Sequence, residues 1–182
     1  MKTTSNACPI TLADGVAANS PVNRSRFATT AYERMQILEK HKNIALVGLS
    51  SNPFRPSHFA AIYLLAMGYN VIPVNPREKE ILGRKSYPSL RDVPEPVEVV
   101  DIFREPSAVP AIVEDAIRIG AKVIWMQLGI IHEEAAERSS QAGLQVVMDR
   151  CMKIEHARFF GGLSIAGLNT GVITARRTRL KY

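Results

Sequence analysis

NIALVGLSSNPFRPSHFAAIYLLAMGY, residues 43–69, is the stretch whose reading decides the fold. Its first part, IALVGL over 44–49, is an apolar run without polar alternation, the pattern of a parallel strand covered on both faces. Its last part places Pro56 at a favourable first-turn position and closes on Gly68, the punctuation of a helix. Between them lies a loop bracketed by Pro53 and Pro56. A strand, a turn and a helix in that order open an α/β unit, and the turn is where such a unit meets ligands.

The same alternation continues downstream. Short apolar runs recur as NVIPV (70–74), VEVVDIF (97–103), KVIWMQL (122–128) and LQVVMD (144–149), which together imply a buried central sheet. PSAVPAIVEDAIRIG (106–120) reads as a helix with Ser107 as N-cap and Gly120 as stop, and HEEAAERSSQAG (132–143) carries early acids that suit the helix dipole. Upstream, TAYERMQILEKHKN (30–43) sets Tyr32, Met35, Ile37 and Leu38 on one side of a helix that Thr30 can cap. The connection over 75–96 is long, basic and punctuated by proline, with no helical period. The expected fold is α/β: a single-domain, Rossmann-like, doubly wound parallel sheet of about five strands, in the order 3-2-1-4-5.

Residues 1–29 lack apolar periodicity and read as a mobile N-terminal extension, residues 30–160 as the domain, and residues 161–182 as a basic C-terminal tail. The 182 residues suit one domain with extra ends, and 46% hydrophobic against 22% charged residues is a globular composition. A formal charge of +6 favours an anionic partner without naming it. Arg176, Arg177, Arg179 and Lys181 carry no interleaved aromatics and no zinc-finger spacing, so a solvated tail is favoured over a nucleic-acid surface. Cys8 and Cys151 lie far apart, no signal peptide is evident and no run approaches a membrane span, so a reducing cytoplasm is the expected location.

Ligands of such a sheet bind beyond the carboxyl ends of its strands. After the first strand, Gly48 lets backbone approach a diphosphate, the following helix offers unpaired amides, and Ser50, Arg55 and Ser57 add hydroxyls and a charge. This is not G-x-G-x-x-G, and a strand-to-helix turn without ligand reads similarly. After the second strand, where an NAD site carries an acid for the ribose, stand Asn75, Pro76 and Arg77. An arginine there suits a phosphorylated ribose, that of NADP or coenzyme A, with an exposed loop charge as the alternative. Phe103 and Arg104 can flank a flat base, although Phe103 also reads as core, and Asp101 as a local turn residue.

No zinc spacing, H-E-x-x-H, C-x-x-C, G-x-S-x-G or Walker sequence occurs, so no metal site and no catalytic residue is assigned. His156 is favoured as a structural residue in a turn after the fifth strand over a general acid. Cys151 lies beside Arg150 and Lys153, cations that lower a thiol's pKa, although a buried inert thiol is favoured.

Taken together, VGLSSNPFRPSHFAAIYLLAMGYNVIPVNPRE, LGRKSYPSLRDVPEPVEVVDIFREP, GAKVIWMQLGI and VVMDRCMKIEHAR resemble the small stand-alone CoA-binding proteins. Their fold is similar to the N-terminal domain of the succinyl-CoA synthetase alpha subunit and of ADP-forming acyl-CoA synthetases. The resemblance implies that Gly48, Ser50, Arg55 and Ser57 surround the CoA phosphates, and that Asn75, Pro76 and Arg77 lie along the phospho-adenosine. It further implies Phe103 and Arg104 near the adenine, Gln127 and Gly129 near the pantetheine path, and Cys151 within reach of the CoA thiol. The expected ligand is coenzyme A or an acyl-CoA, bound non-covalently by a carrier, sensor or accessory subunit without catalysis of its own. Neither nucleic acid nor membrane is expected as partner, and a homo-oligomer or accessory protein stays open. An NADP-dependent oxidoreductase on the same fold is the alternative.

Overall fold

The computed structural model describes residues 29–161. The extension and tail read from the sequence, with Cys8 and the terminal arginines, lie outside these residues apart from positions 29 and 161. Five parallel strands form the sheet: β1 (Asn43–Val47), β2 (Asn70–Val74), β5 (Val99–Ile102), β6 (Val123–Met126) and β7 (Gln145–Val147). Their order is β2-β1-β5-β6-β7. The expected order 3-2-1-4-5 is therefore corrected to 2-1-3-4-5 for the five long runs.

The reason lies at the outer edge of β2. The connection after it folds into a two-stranded antiparallel ribbon, β3 (Glu80–Ile81) and β4 (Arg84–Lys85), joined through Leu82 and Gly83, which both take positive φ. That is the turn geometry of a two-residue hairpin. The chain leaving the ribbon then bonds to β2, with the Tyr87 amide donating to Pro73 O and the Asn75 amide to Tyr87 O. With that edge occupied, the next strand pairs with the free edge of β1, aligning Leu46 with Asp101.

Successive strand residues supply opposite faces. Ile44, Leu46, Val71, Val99, Val123 and Trp125 face helices α1 (Ala31–Lys40), α2 (Pro56–Ala66) and α5 (Met152–Phe160). Ala45, Val47, Ile72, Val100, Ile102, Ile124 and Met126 face α3 (Val109–Arg118) and α4 (Glu133–Gln141). The layered sheet with helices on both sides is the expected Rossmann-like α/β domain. Thr30 caps α1 in a reciprocal capping box with Glu33. Ile37 and Leu38 are buried as expected, but Tyr32 is exposed and Arg34 takes the buried place. Ser107 is not a cap: a short 3-10 turn over Pro106–Ala108 precedes α3. Residues after β7 form α5 rather than a turn. Among the described residues, no helix is long and apolar enough to cross a membrane.

Candidate functional site

The carboxyl ends of the strands open into a cleft of about 890 Å³. It spans the β1/β5 boundary, where the chain reverses its winding, the place where ligands sit in such sheets. Gly48, Ser50, Arg55, Ser57, Asn75, Pro76, Arg77, Phe103, Arg104, Gln127 and Cys151 all line it. Gly129 does not: its amide donates to Asp149 Oδ1 at 2.7 Å, tying the exit of β6 to that of β7.

The first loop is held by its own polar groups. The Ser50 amide donates to Ser57 Oγ at 3.3 Å, His58 Nδ1 bonds Ser50 O at 2.9 Å, and the Phe54 amide donates to Asn52 Oδ1 at 2.9 Å. Helix α2 begins after Arg55 with no side-chain cap, so its amino end and positive dipole are left to the cleft. Gly48 has φ +89°, and a Cβ there would lie 2.8 Å from Arg104 Cδ and 2.9 Å from Phe103 O. The glycine is thus required for the crossing of the first and third ligand loops, beyond any approach to a phosphate.

Asn75 joins the first two loops. Its Nδ2 donates to Leu49 O at 2.8 Å and Glu78 Oε1 at 3.2 Å, while its Oδ1 accepts from the Arg77 amide at 2.9 Å. With its amide so engaged, Asn75 shapes the loop that presents Arg77. Arg104 pairs with Glu105 at 2.9 Å, which holds the Glu105 carboxyl below its ordinary range. Arg55 and Arg77 make no ion pair among the described residues, and both are exposed at the cleft.

The other half of the cleft is mostly neutral. Gln127, 3% exposed, lies on its floor with Leu128, Ile130, Cys151 and Ile154 around it. Gln127 Nε2 donates to Asp101 Oδ1 at 2.7 Å. Asp101 is not a turn residue but a wholly buried member of β5. Its Oδ2 has no partner, and burial pushes its pKa up to about 8 against the smaller opposing effect of the Gln127 bond. Burial likewise raises the Cys151 thiol, with Asp101 adding to the rise, although Lys153 and the amides of Lys153 and Ile154 oppose it. The rise runs in the direction of the inert thiol favoured from the sequence and against the thiolate that the flanking cations offered as the alternative.

Residues 42–157 match the model of the CoA binding domain family. The chain belongs to that family. The chain is 39% identical over 125 residues to the uncharacterized protein YneT of Bacillus subtilis, covering 69% of the chain and 93% of YneT. A structure described as a hypothetical protein from Pyrococcus horikoshii is 45% identical with a TM-score of 0.73, covering 76% of this chain and 97% of that one. The ADP-forming acetate–CoA ligase II of Archaeoglobus fulgidus is 28% identical over 139 residues, 74% of this chain but only 20% of the ligase. The domain is thus similar to a fragment of a much larger synthetase.

Several residues of the cleft escaped the sequence reading. Phe54, 87% exposed, and Phe59, half exposed, flank its mouth. Phe54 was legible in principle, since a large apolar residue between two loop prolines has no core to enter. Lys153, read from the sequence only as a neighbour of Cys151, adds a cation to the cleft from α5. His156 lies on α5 and bonds the Tyr63 hydroxyl at 3.0 Å, with Tyr69 and Phe160 ringing it at 5.3 and 4.9 Å. Burial lowers its pKa, with Lys42 adding to the effect, as befits a packed neutral imidazole. Among the described residues, no group of three or more His, Cys, Asp and Glu is disposed to hold a metal ion.

Proposed function

We propose that the cleft binds coenzyme A or an acyl-CoA non-covalently, the chain serving as a carrier, sensor or accessory subunit. The observation that carries this is the division of the cleft along the sheet. Arg55, Arg77 and the uncapped amino end of α2 gather on the β2 and β1 side, while Gln127, Leu128, Ile130 and Cys151 lie on the β6 and β7 side. A ligand with phosphates at one end and a neutral amide-and-thiol arm at the other matches that polarity. Arg77 is the side chain for the ribose 3′-phosphate, and Phe103 with Arg104 that for adenine. The family membership supports the same ligand.

The test is thermal unfolding of the full chain with CoA, acetyl-CoA, dephospho-CoA, NADP and NAD. A ligand that binds only the folded state stabilises it by RT ln(1 + L/Kd), L being its free concentration, and so raises Tm. CoA and acetyl-CoA are expected to stabilise most, dephospho-CoA less, and the dinucleotides little. No response to any CoA species overturns the reading; stabilisation by NADP alone favours the oxidoreductase. Cys151 lies where a ligand thiol would end, so exchange with CoA disulfide is expected to add one CoA by intact mass, releasing one CoA thiol. The raised thiol pKa makes that exchange slow at neutral pH and faster in alkali.

A further inference from the structure

Asp101 is fully buried, bonded to the cleft through Gln127 alone, and keeps one carboxyl oxygen without any partner. Among the described residues, Asp101 Oδ2 is the one buried side-chain oxygen or nitrogen left so. Among the described residues Gln127 Oε1 has no hydrogen bond and is not one of those buried orphans, and Gln127 lines the cleft. The two ends of a carboxamide are nearly the same size but opposite in hydrogen-bonding sense. An ionised Asp101 accepts from Nε2 and leaves Oε1, an acceptor, facing the cleft. A neutral Asp101 can donate to Oε1, which turns Nε2 outward as a donor.

We propose that the Asp101–Gln127 pair is a specificity element for the neutral end of the ligand, presenting an amide donor to a thioester carbonyl when Asp101 is protonated and an acceptor when it is not. The inference rests on the CoA reading above and deepens it: Gln127 is the contact, Asp101 the residue that orients it. The raised pKa of Asp101, about 8, keeps the carboxyl protonated at neutral pH, the form able to donate to Oε1, whereas the structure shows the acceptor-presenting orientation with Nε2 on Asp101. The groups around Asp101 leave it the controlling titration. Its neighbours in register on β1 and β6 are Leu46 and Trp125, neither ionisable. From α5 come the Cys151 thiol and, at the cleft, Lys153; from the α2 side come Arg55 and His58, whose Nδ1 is engaged by Ser50 O; from the β5 exit comes Arg104, paired to Glu105.

The test compares acetyl-CoA with S-methyl-CoA, which lacks both the carbonyl and an ionisable thiol, by calorimetry at about pH 6.5 and about pH 9.5. For the wild type, acetyl-CoA is expected to bind about threefold to tenfold tighter at the lower pH, the worth of one hydrogen bond, and to lose that advantage at the higher. Asp101→Asn, which cannot ionise, should hold its ratio constant across the range, and Gln127→Met should give a ratio near one throughout. A wild-type ratio independent of pH overturns the inference while leaving CoA binding intact. A pH effect that persists in Asp101→Asn also overturns it, by assigning the titration to Cys151 or another group. Failure of every CoA species to bind overturns the CoA reading and this inference with it.

Discussion

Asp101 is a carboxyl placed where a strand of a parallel sheet offers no water and one hydrogen bond. Its proton is retained up to about pH 8, whereas an ordinary aspartate loses it near 3.8. Between those values the folded chain binds a proton that the unfolded chain has released, so this residue's contribution to stability is present below about pH 4 and is lost as pH rises toward 8. Asp101→Asn removes the titration. The variant is expected to match the wild type only at about pH 4 and below, and to exceed it by a margin that grows at up to about 1.4 kcal/mol for each pH unit traversed until about pH 8. Urea unfolding at pH 5, 7 and 9 measures the gap; parallel curves would contradict the burial argument. Arg77 is the opposite case, a free exposed guanidinium with no protein partner among the described residues. Arg77→Ala should weaken CoA by about tenfold or more, as for a hydrogen bond to a charged group, and dephospho-CoA far less. Equal losses would place the 3′-phosphate elsewhere.

Among the elements, the crossing of the β1 and β5 loops is the tightest constraint on the cleft. Gly48→Ala meets two obstacles, a left-handed backbone costing about 1–2 kcal/mol for an L-residue and a Cβ under 3 Å from Arg104 and Phe103. Gly120 also has positive φ, +73°, but nothing lies within 4 Å of its virtual Cβ. Gly120→Ala should therefore cost only the backbone part, and Gly48→Ala clearly more, with loss of ligand-induced stabilisation; equal midpoints in urea would refute the crossing. The elements also show what the sequence could carry. Uninterrupted Val/Ile runs, Pro56 and the closing glycines marked strands and helices because those signals are local. Strand order is not local, yet one clue stood in NVIPV: Pro73 lacks an amide donor, which suits an edge strand and is incompatible with the central place that 3-2-1-4-5 gave it. The ribbon over Glu80–Lys85 was hidden because Leu82, rather than a glycine or asparagine, takes one of its two positive-φ positions. Most proposed site residues converged because the exits of parallel strands share one edge; Gly129 did not, since its own turn consumes its amide.

On the scale of the whole molecule, the first and last described helices close the fold against each other. Arg34 on α1 reaches Glu155 on α5 at 2.8 Å, its guanidinium also bonds Thr29 O, and Arg158 approaches the other Glu155 oxygen at 3.4 Å. Both Arg34 and Glu155 are buried, so each charge depends on the other for the solvation it lost on folding. That clamp fixes the start of α5, and with it Cys151, Lys153 and Ile154 at the cleft. Arg34→Met is expected to cost up to about 3–5 kcal/mol because it leaves a buried carboxylate with only the longer contact to Arg158. Adding Glu155→Leu should recover much of that loss, since a packed apolar pair replaces an ion pair at little net cost. Urea unfolding of the single and double variants gives the coupling directly. If the two losses simply add, the pair is not a mutual clamp, and the position of α5 must come from the packing of Met152 beneath it.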